Sequence, residues 1–161
     1  MIQLSEKGPE VSRFGSVDPA PPLVEGEVDV WRKILLDESE KLFARMRVIF
    51  SLRNESSTAA IEALCDGFQV NSALLRHELA YVLGQTQSPA AVDTLIERLA
   101  DESEHVMVRH EAAEALGAIG AKRAMPVLES FLDDENPEVS ESCEVAIDLL
   151  NLCNSGQELE W

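Results

Sequence analysis

Basic residues are scarce in this chain. Thirteen Lys and Arg stand against 30 Asp and Glu over 161 residues, a formal net charge of −17. Nucleic-acid backbones and anionic membrane surfaces are held by clustered cations, so neither is expected as a partner. A basic protein would be drawn in at long range. Cysteine is scarce too: Cys65, Cys143 and Cys153 are odd in number and lack Cys-x-x-Cys spacing. That pattern argues for a reducing compartment and against a disulfide framework. No apolar run approaches the roughly 20 residues of a spanning helix, and the first nine residues lack the basic and apolar blocks of a signal peptide. A cytoplasmic location is the expectation. There is no Gly-rich phosphate loop, Gly-x-Ser-x-Gly elbow or Cys/His zinc-finger spacing. Sustained period-2 alternation is also missing, so strands are not expected.

What the chain does contain is an internal repeat. Leu-Leu-Arg-His-Glu-Leu-Ala-Tyr-Val-Leu-Gly at Leu74–Gly84 returns as Met-Val-Arg-His-Glu-Ala-Ala-Glu-Ala-Leu-Gly at Met107–Gly117, 33 residues later. A period of 31 to 33 residues, running from Ser39, is typical of helical solenoids. The repeat equates Phe50-Ser51-Leu52-Arg53 with Tyr81-Val82-Leu83-Gly84 and Glu114-Ala115-Leu116-Gly117; Val139–Leu150 begins a fourth copy. The second helices agree as well. Ile61, Leu64, Cys65 and Phe68 match Val92, Leu95, Ile96 and Leu99, at the i, i+3, i+4, i+7 spacing of an amphipathic stripe. Ser88-Pro89 and Asn136-Pro137 read as helix starts, and Gly84, Gly117 and Gly120 as the ends of first helices.

The expected fold is therefore all-α: a right-handed HEAT-type stack of helical hairpins, about four repeats long. Residues 27–153 form the repeat domain, opening on a short helix from about Glu27 to Leu36 with no partner upstream. Pro-rich residues 1–26 are read as a flexible linker, and residues 154–161 as a tail.

Only three histidines are present, and two of them hold equivalent repeat positions. At about 100° per residue, Leu75, Leu79, Val82 and Leu83 share one face and His77 lies nearly opposite, with Ala80 and Gly84. His110 likewise groups with Ala113 and Gly117, away from Val108, Ala112, Ala115 and Leu116. The small residues are read as leaving room around each imidazole. Packed helices lie about 8–10 Å apart, so two such rings can meet over one ion. Glu78 and Glu111 can add carboxylate oxygen. Two His and one carboxylate suit a non-haem iron(II) site that activates oxygen, and a zinc hydrolase would fit the same atoms. The competing reading makes His77 and His110 solvated or capping residues. The outer units carry Met46-Arg47 and Glu141-Ser142 at the His-Glu positions, so packing of the solenoid does not itself demand the pair. His105 reads as a capping residue, Tyr81 as lying on the His77 side, and Arg76 and Arg109 as partners of nearby acids.

These motifs bring a resemblance. Ser-Val-Asp-Pro-Ala-Pro-Pro at Ser16–Pro22, Arg76–Gln85, Met107–Gly120 and Glu-Ser-Cys-Glu-Val-Ala at Glu141–Ala146 resemble the C-terminal half of the deoxyhypusine hydroxylase family. That family is a HEAT-repeat di-iron monooxygenase with two similar halves, each carrying two His-Glu motifs. The resemblance implies that His77, His110 and Glu111 ligate one iron (Fe2+), with two irons in a complete site. It gives Glu78 to the metal or to the substrate amine, and makes Met107 a pocket-lining residue, although a buried packing methionine fits equally. The implied substrate is the deoxyhypusine side chain of a translation initiation factor, converted to hypusine. Two of the four motifs are present, so activity is expected to need an N-terminal half or homodimerisation. The alternative is a catalytically silent HEAT adaptor that binds a basic protein.

Overall fold

A computed structural model gives the fold and describes residues 9–156. Eight helices follow in order: α1 (Val28–Leu36), α2 (Leu42–Glu55), α3 (Thr58–Asp66), α4 (Ala73–Thr86), α5 (Val92–Ala100), α6 (Val106–Ile119), α7 (Met125–Ser130) and α8 (Pro137–Ser155). Among the described residues the only β pairing is an isolated bridge between Val11 and Val17. The fold is an all-α HEAT solenoid. The first helices α2, α4, α6 and α8 stack side by side; α3 packs against α2 and α4, and α5 and α7 pack on the helices that follow them, α6 and α8. None of the described helices is long and apolar enough to cross a membrane.

The helical stripes form the core as the periodicity requires. Leu75, Leu79, Val82, Leu83, Val108, Ala112 and Leu116 are all buried, as are Leu64, Leu95 and Leu128 of the second helices. Ser57 and Ser72 cap α3 and α4 by accepting from the backbone N–H three residues on, satisfying donors that the first turn leaves free. His105 caps α6, its Nδ1 accepting from the Met107 N–H.

Two glycines were misread as helix ends. α4 continues past Gly84 to Thr86, where Gln87 is its left-handed cap, and α6 past Gly117 to Ile119; of the three glycines Gly120 alone is a left-handed cap, at φ 76°. Gly84 and Gly117 serve close approach between stacked helices. A Cβ on Gly84 would sit 3.1 Å from Ala115 Cα, and one on Gly117 the same distance from Ala146 Cα. Ala80 and Ala113 are likewise fully buried. The small residues beside each histidine therefore pull neighbouring helices together rather than lining a void.

α1 finds its partners downstream, packing on α2 and α3. It has the register of a second helix. Arg45 donates from Nε to the Leu35 carbonyl, as Arg109 does to the Leu99 carbonyl, each reaching ten residues back.

The segment expected to be a flexible linker is tied to α2. Asp18 accepts both arms of the Arg53 guanidinium at 2.8 and 2.7 Å. Arg47 donates to the Pro21 and Pro22 carbonyls, Ser51 Oγ accepts from the Leu23 N–H, and Ala20 is fully buried. Arg53 stacks on Phe14 and Phe50 and donates to Gln85, whose amide reaches Ser16. Proline supplies carbonyls without competing donors, which suits a strap laid over arginines. Residues 1–8, and residues 157–161 of the expected tail with Trp161, lie outside the described residues; Asn154 and Ser155 belong to α8.

Candidate metal centre

The centre is built across repeats, by a rule that recurs. His77 on α4 points its Nε2 at Glu111 Oε2 on α6, 3.2 Å away. His110 on α6 meets Ser142 of α8, the residue at the Glu position of the next unit, with Nδ1 and Oγ 2.5 Å apart. Each histidine thus addresses the second motif position of the repeat that follows. The other nitrogen of His110 turns back to the same Glu111 oxygen, at 3.7 Å. One carboxylate oxygen is shared by two imidazoles from successive hairpins, and its side chain is only 10% exposed.

The hydrogen bonds assign the His110 tautomer. Ser142 Oγ donates to the Glu138 carbonyl at 2.6 Å, so its proton is committed and it accepts from His110 Nδ1–H. Nε2 is then the bare nitrogen. It faces a carboxylate oxygen, so two lone-pair donors confront each other and need a cation or a proton between them. Donors about 2.1 Å from one ion at right angles stand about 3.0 Å apart, and about 4.2 Å when opposed. The 3.2 and 3.7 Å separations fall inside that span. Each of these two pairs, taken singly, is spaced to share a divalent metal ion.

Glu78 and Glu114 complete the surroundings. Glu78 Oε1 lies 3.9 Å from His77 Nδ1 on the side away from Glu111. Burial pushes the Glu78 carboxyl up, as do the charges of Glu111 and Asp18, against the pull of His77 and Arg53. The Glu111 hydrogen bond holds His77 above its ordinary value, with burial opposing and the charges of Glu111, Glu78 and Glu114 adding. Glu114 Oε1 stands 3.7 Å from His110 Nδ1. His110, Glu111 and Glu114, all on α6, offer donor atoms all within 4.8 Å of one another; His77 lies outside that group and touches it at Glu111.

Sequence reasoning missed Glu114 and Ser142. The i, i+4 spacing from His110 could have found the first, and the 31-residue offset from Glu111 the second. Met107, expected to line the pocket or to pack in the core, lies one turn before His110 on α6. Met107 is 39% exposed, which rules out the buried packing role. Tyr81 is exposed and accepts from Gln85 through its hydroxyl. Arg76 and Arg109 have the acid partners expected of them, and Arg109 is buried. It binds Asp134 at 2.6 Å, as Arg76 binds Glu104 at 2.8 Å, and both pairs join consecutive repeats.

The stacked helical hairpins define the class, and the chain belongs to the HEAT-repeat family, whose model matches residues 61–148. Within that class it is similar to deoxyhypusine hydroxylases. The enzyme of Arabidopsis thaliana is 52% identical over 94% of this chain and 49% of its own length. That of Gallus gallus is 50% identical over 96% of this chain and 52% of its own. The solved structure of human deoxyhypusine hydroxylase in complex with glycerol matches with a TM-score of 0.85 at 49% identity, covering 89% of this chain and 50% of that one. The resemblance carried by the His-Glu motifs is borne out. The chain spans about half the length of the curated relatives it matches.

Proposed function

We propose that this chain forms one half of an iron-dependent monooxygenase that hydroxylates the deoxyhypusine side chain of a translation initiation factor. The observation that carries the reading is the His110 Nε2 lone pair aimed at the Glu111 oxygen that His77 also addresses. His77, His110 and Glu111 would hold one Fe2+, the two-His, one-carboxylate set that leaves positions open for oxygen. Bound iron would supply the activation of O2, one oxygen atom entering a C–H bond and the other leaving as water with two electrons and two protons.

The chain's own groups prepare that site. Ser142 fixes the His110 ring and its tautomer, as outer partners of metal-bound histidines do. Glu78, half-buried and pushed toward its neutral form, gains most from the arrival of a cation, which suits it to an alkylammonium group of the substrate. One such centre per half means that a second half, or a second copy of this chain, would complete a two-iron site.

The test is the iron bound per chain after anaerobic loading, for the parent and for His77→Ala with His110→Ala, together with hydroxylation read as the mass gain of one oxygen atom on a deoxyhypusine-bearing factor. The expected result is iron in the parent, none in the folded double variant, and turnover only when a complementary half is added. Iron retained by the double variant would leave the adaptor reading standing.

A further inference from the structure

Tyr81 is the only tyrosine in the chain, and it stands 37% exposed on α4. It follows His77 by four residues and Glu78 by three, so the three share one face of the helix. Around the helix axis it lies about 40° from His77 and about 60° from Glu78, between the two. Side chains on a helix lean toward its N-terminus, which lays the Tyr81 ring over the turn that holds the His-Glu pair. His77 turns from this face toward Glu111 of α6, and Tyr81 is left at the outer edge of the site.

The phenol is tethered. Gln85, one turn further on, donates from its amide nitrogen to Tyr81 Oη at 3.2 Å and to Ser16 Oγ at 3.2 Å. The hydrogen bonds fix which way this amide points. Arg53, which can only donate, meets its carbonyl end at 2.9 Å, and Ser16 gives its own proton to Asp18 at 2.9 Å. Arg53 is fully buried and gripped by Asp18 of the strap. A partly exposed tyrosine is thus held at its hydroxyl by an amide, a buried arginine and the strap before any ligand arrives. Its ring remains as an aromatic face beside the Glu78 carboxylate. Such a pair suits an alkylammonium: the carboxylate takes the N–H donors, and the ring takes the field of the cation and the methylenes next to it.

We propose that Tyr81 is a specificity-determining residue whose ring, with the Glu78 carboxylate, receives an alkylammonium chain, and that Gln85 is a positioning residue that holds the ring for it. The hydroxyl is the tether and the ring is the contact surface. Ordering the ring in advance spares a ligand the entropy of doing so. The inference deepens the hydroxylase reading, on which it rests for the identity of the ligand as the aminoalkyl chain of the substrate. Recognition of a cation needs no iron, so this contact and the metal centre fail or stand separately.

The test titrates the metal-free chain with 1,4-diaminobutane, followed by proton NMR of the probe, with butane-1,4-diol as the uncharged control. Seating over an aromatic face moves methylene signals upfield through the ring current, which a tyrosine that only supported the fold would not do. The expected result is an upfield shift for the diamine and none for the diol. Tyr81→Leu should abolish the shift and weaken binding about tenfold, whereas Tyr81→Phe should keep the shift and stay within about threefold of the parent. Tyr81 is partly exposed, so both variants are expected to keep the parent circular dichroism; should either not, Gln85→Leu replaces it, leaving the ring untethered, and should weaken binding and shrink the shift. Iron loading should be the same in the parent and in Tyr81→Leu. A parent that binds no iron yet gives the expected shifts would keep this contact and lose the hydroxylase reading. Diamine affinity of Tyr81→Leu within about twofold of the parent, or parent signals that do not move, would overturn the proposal. So would a Tyr81→Phe chain as weak as Tyr81→Leu, because the phenol proton and not the ring would then be the contact.

Discussion

Glu111 Oε2 lies 3.2 Å from His77 Nε2 although the two residues belong to different hairpins, and His110 Nε2 approaches the same oxygen from 3.7 Å. The acid of one repeat completes the site of the repeat before it. Several measurable consequences depend on that offset.

Ser142 should control metal affinity without touching metal. It accepts the Nδ1–H of His110 while donating to the Glu138 carbonyl, and so presents Nε2 bare toward Glu111. Ser142→Ala frees the ring to flip. The expected outcome is Fe2+ or Zn2+ affinity lowered about 10- to 100-fold with the fold intact, measured by anaerobic calorimetry. Unaltered affinity would mean that the tautomer is set elsewhere.

The pH dependences of stability and of metal binding should run in opposite directions. The Glu111 hydrogen bond raises His77 above its ordinary value in the folded, metal-free chain. The stability this confers is fully present below the unfolded value of about 6.5 and is lost as pH rises through the higher folded value. Metal requires the neutral imidazole, so affinity climbs over the same window. Urea midpoints of the metal-free chain should fall between about pH 6 and pH 8 while metal affinity increases. His77→Gln should flatten the first trend.

The strap contact is the strongest candidate for a large stability effect. Arg53 is fully buried and paired with Asp18. Asp18→Ala strands a buried charge and should lower the unfolding free energy by about 3–5 kcal/mol. Replacing both, as Asp18→Ala with Arg53→Met, should recover much of that loss. Urea denaturation measures both, and a cost for Asp18→Ala no larger than that of a surface substitution would show that the strap is held some other way.

Gly84→Ala sets helix propensity against packing. Alanine gains about 1 kcal/mol in a helix interior, but its Cβ would meet the Ala115 backbone at 3.1 Å. Overpacking of this kind costs about 1–3 kcal/mol, and Ala115 lies inside a packed helix that cannot easily yield. A net loss is expected by urea denaturation, with Gly117→Ala behaving alike against Ala146. A gain in stability would mean that α4 and α6 are free to separate.

The solenoid was legible because its apolar residues keep helical spacing and its period repeats, so the stripes from Leu75 to Leu83 and from Val108 to Leu116 pointed inward as expected. The His-Glu pairs stood out because they were duplicated at a fixed offset. What escaped was contact that no local pattern encodes. Arg53 occupies the position where later repeats carry glycine, and nothing in the order of residues indicates that a proline-rich strap would supply its counter-charge from 35 residues away. Gly84 and Gly117 looked like terminators because the glycine rule is local, whereas their role comes from the neighbouring helix. Ser142 departs from the motif in sequence, and only its distance to His110 makes it part of the site.

The shared oxygen has one last consequence. The contact of His77 with this oxygen exists only in the registry between two hairpins. A slip of α6 along α4 by one turn, about 5.4 Å, would keep both helices whole and leave His77 with no carboxylate to share.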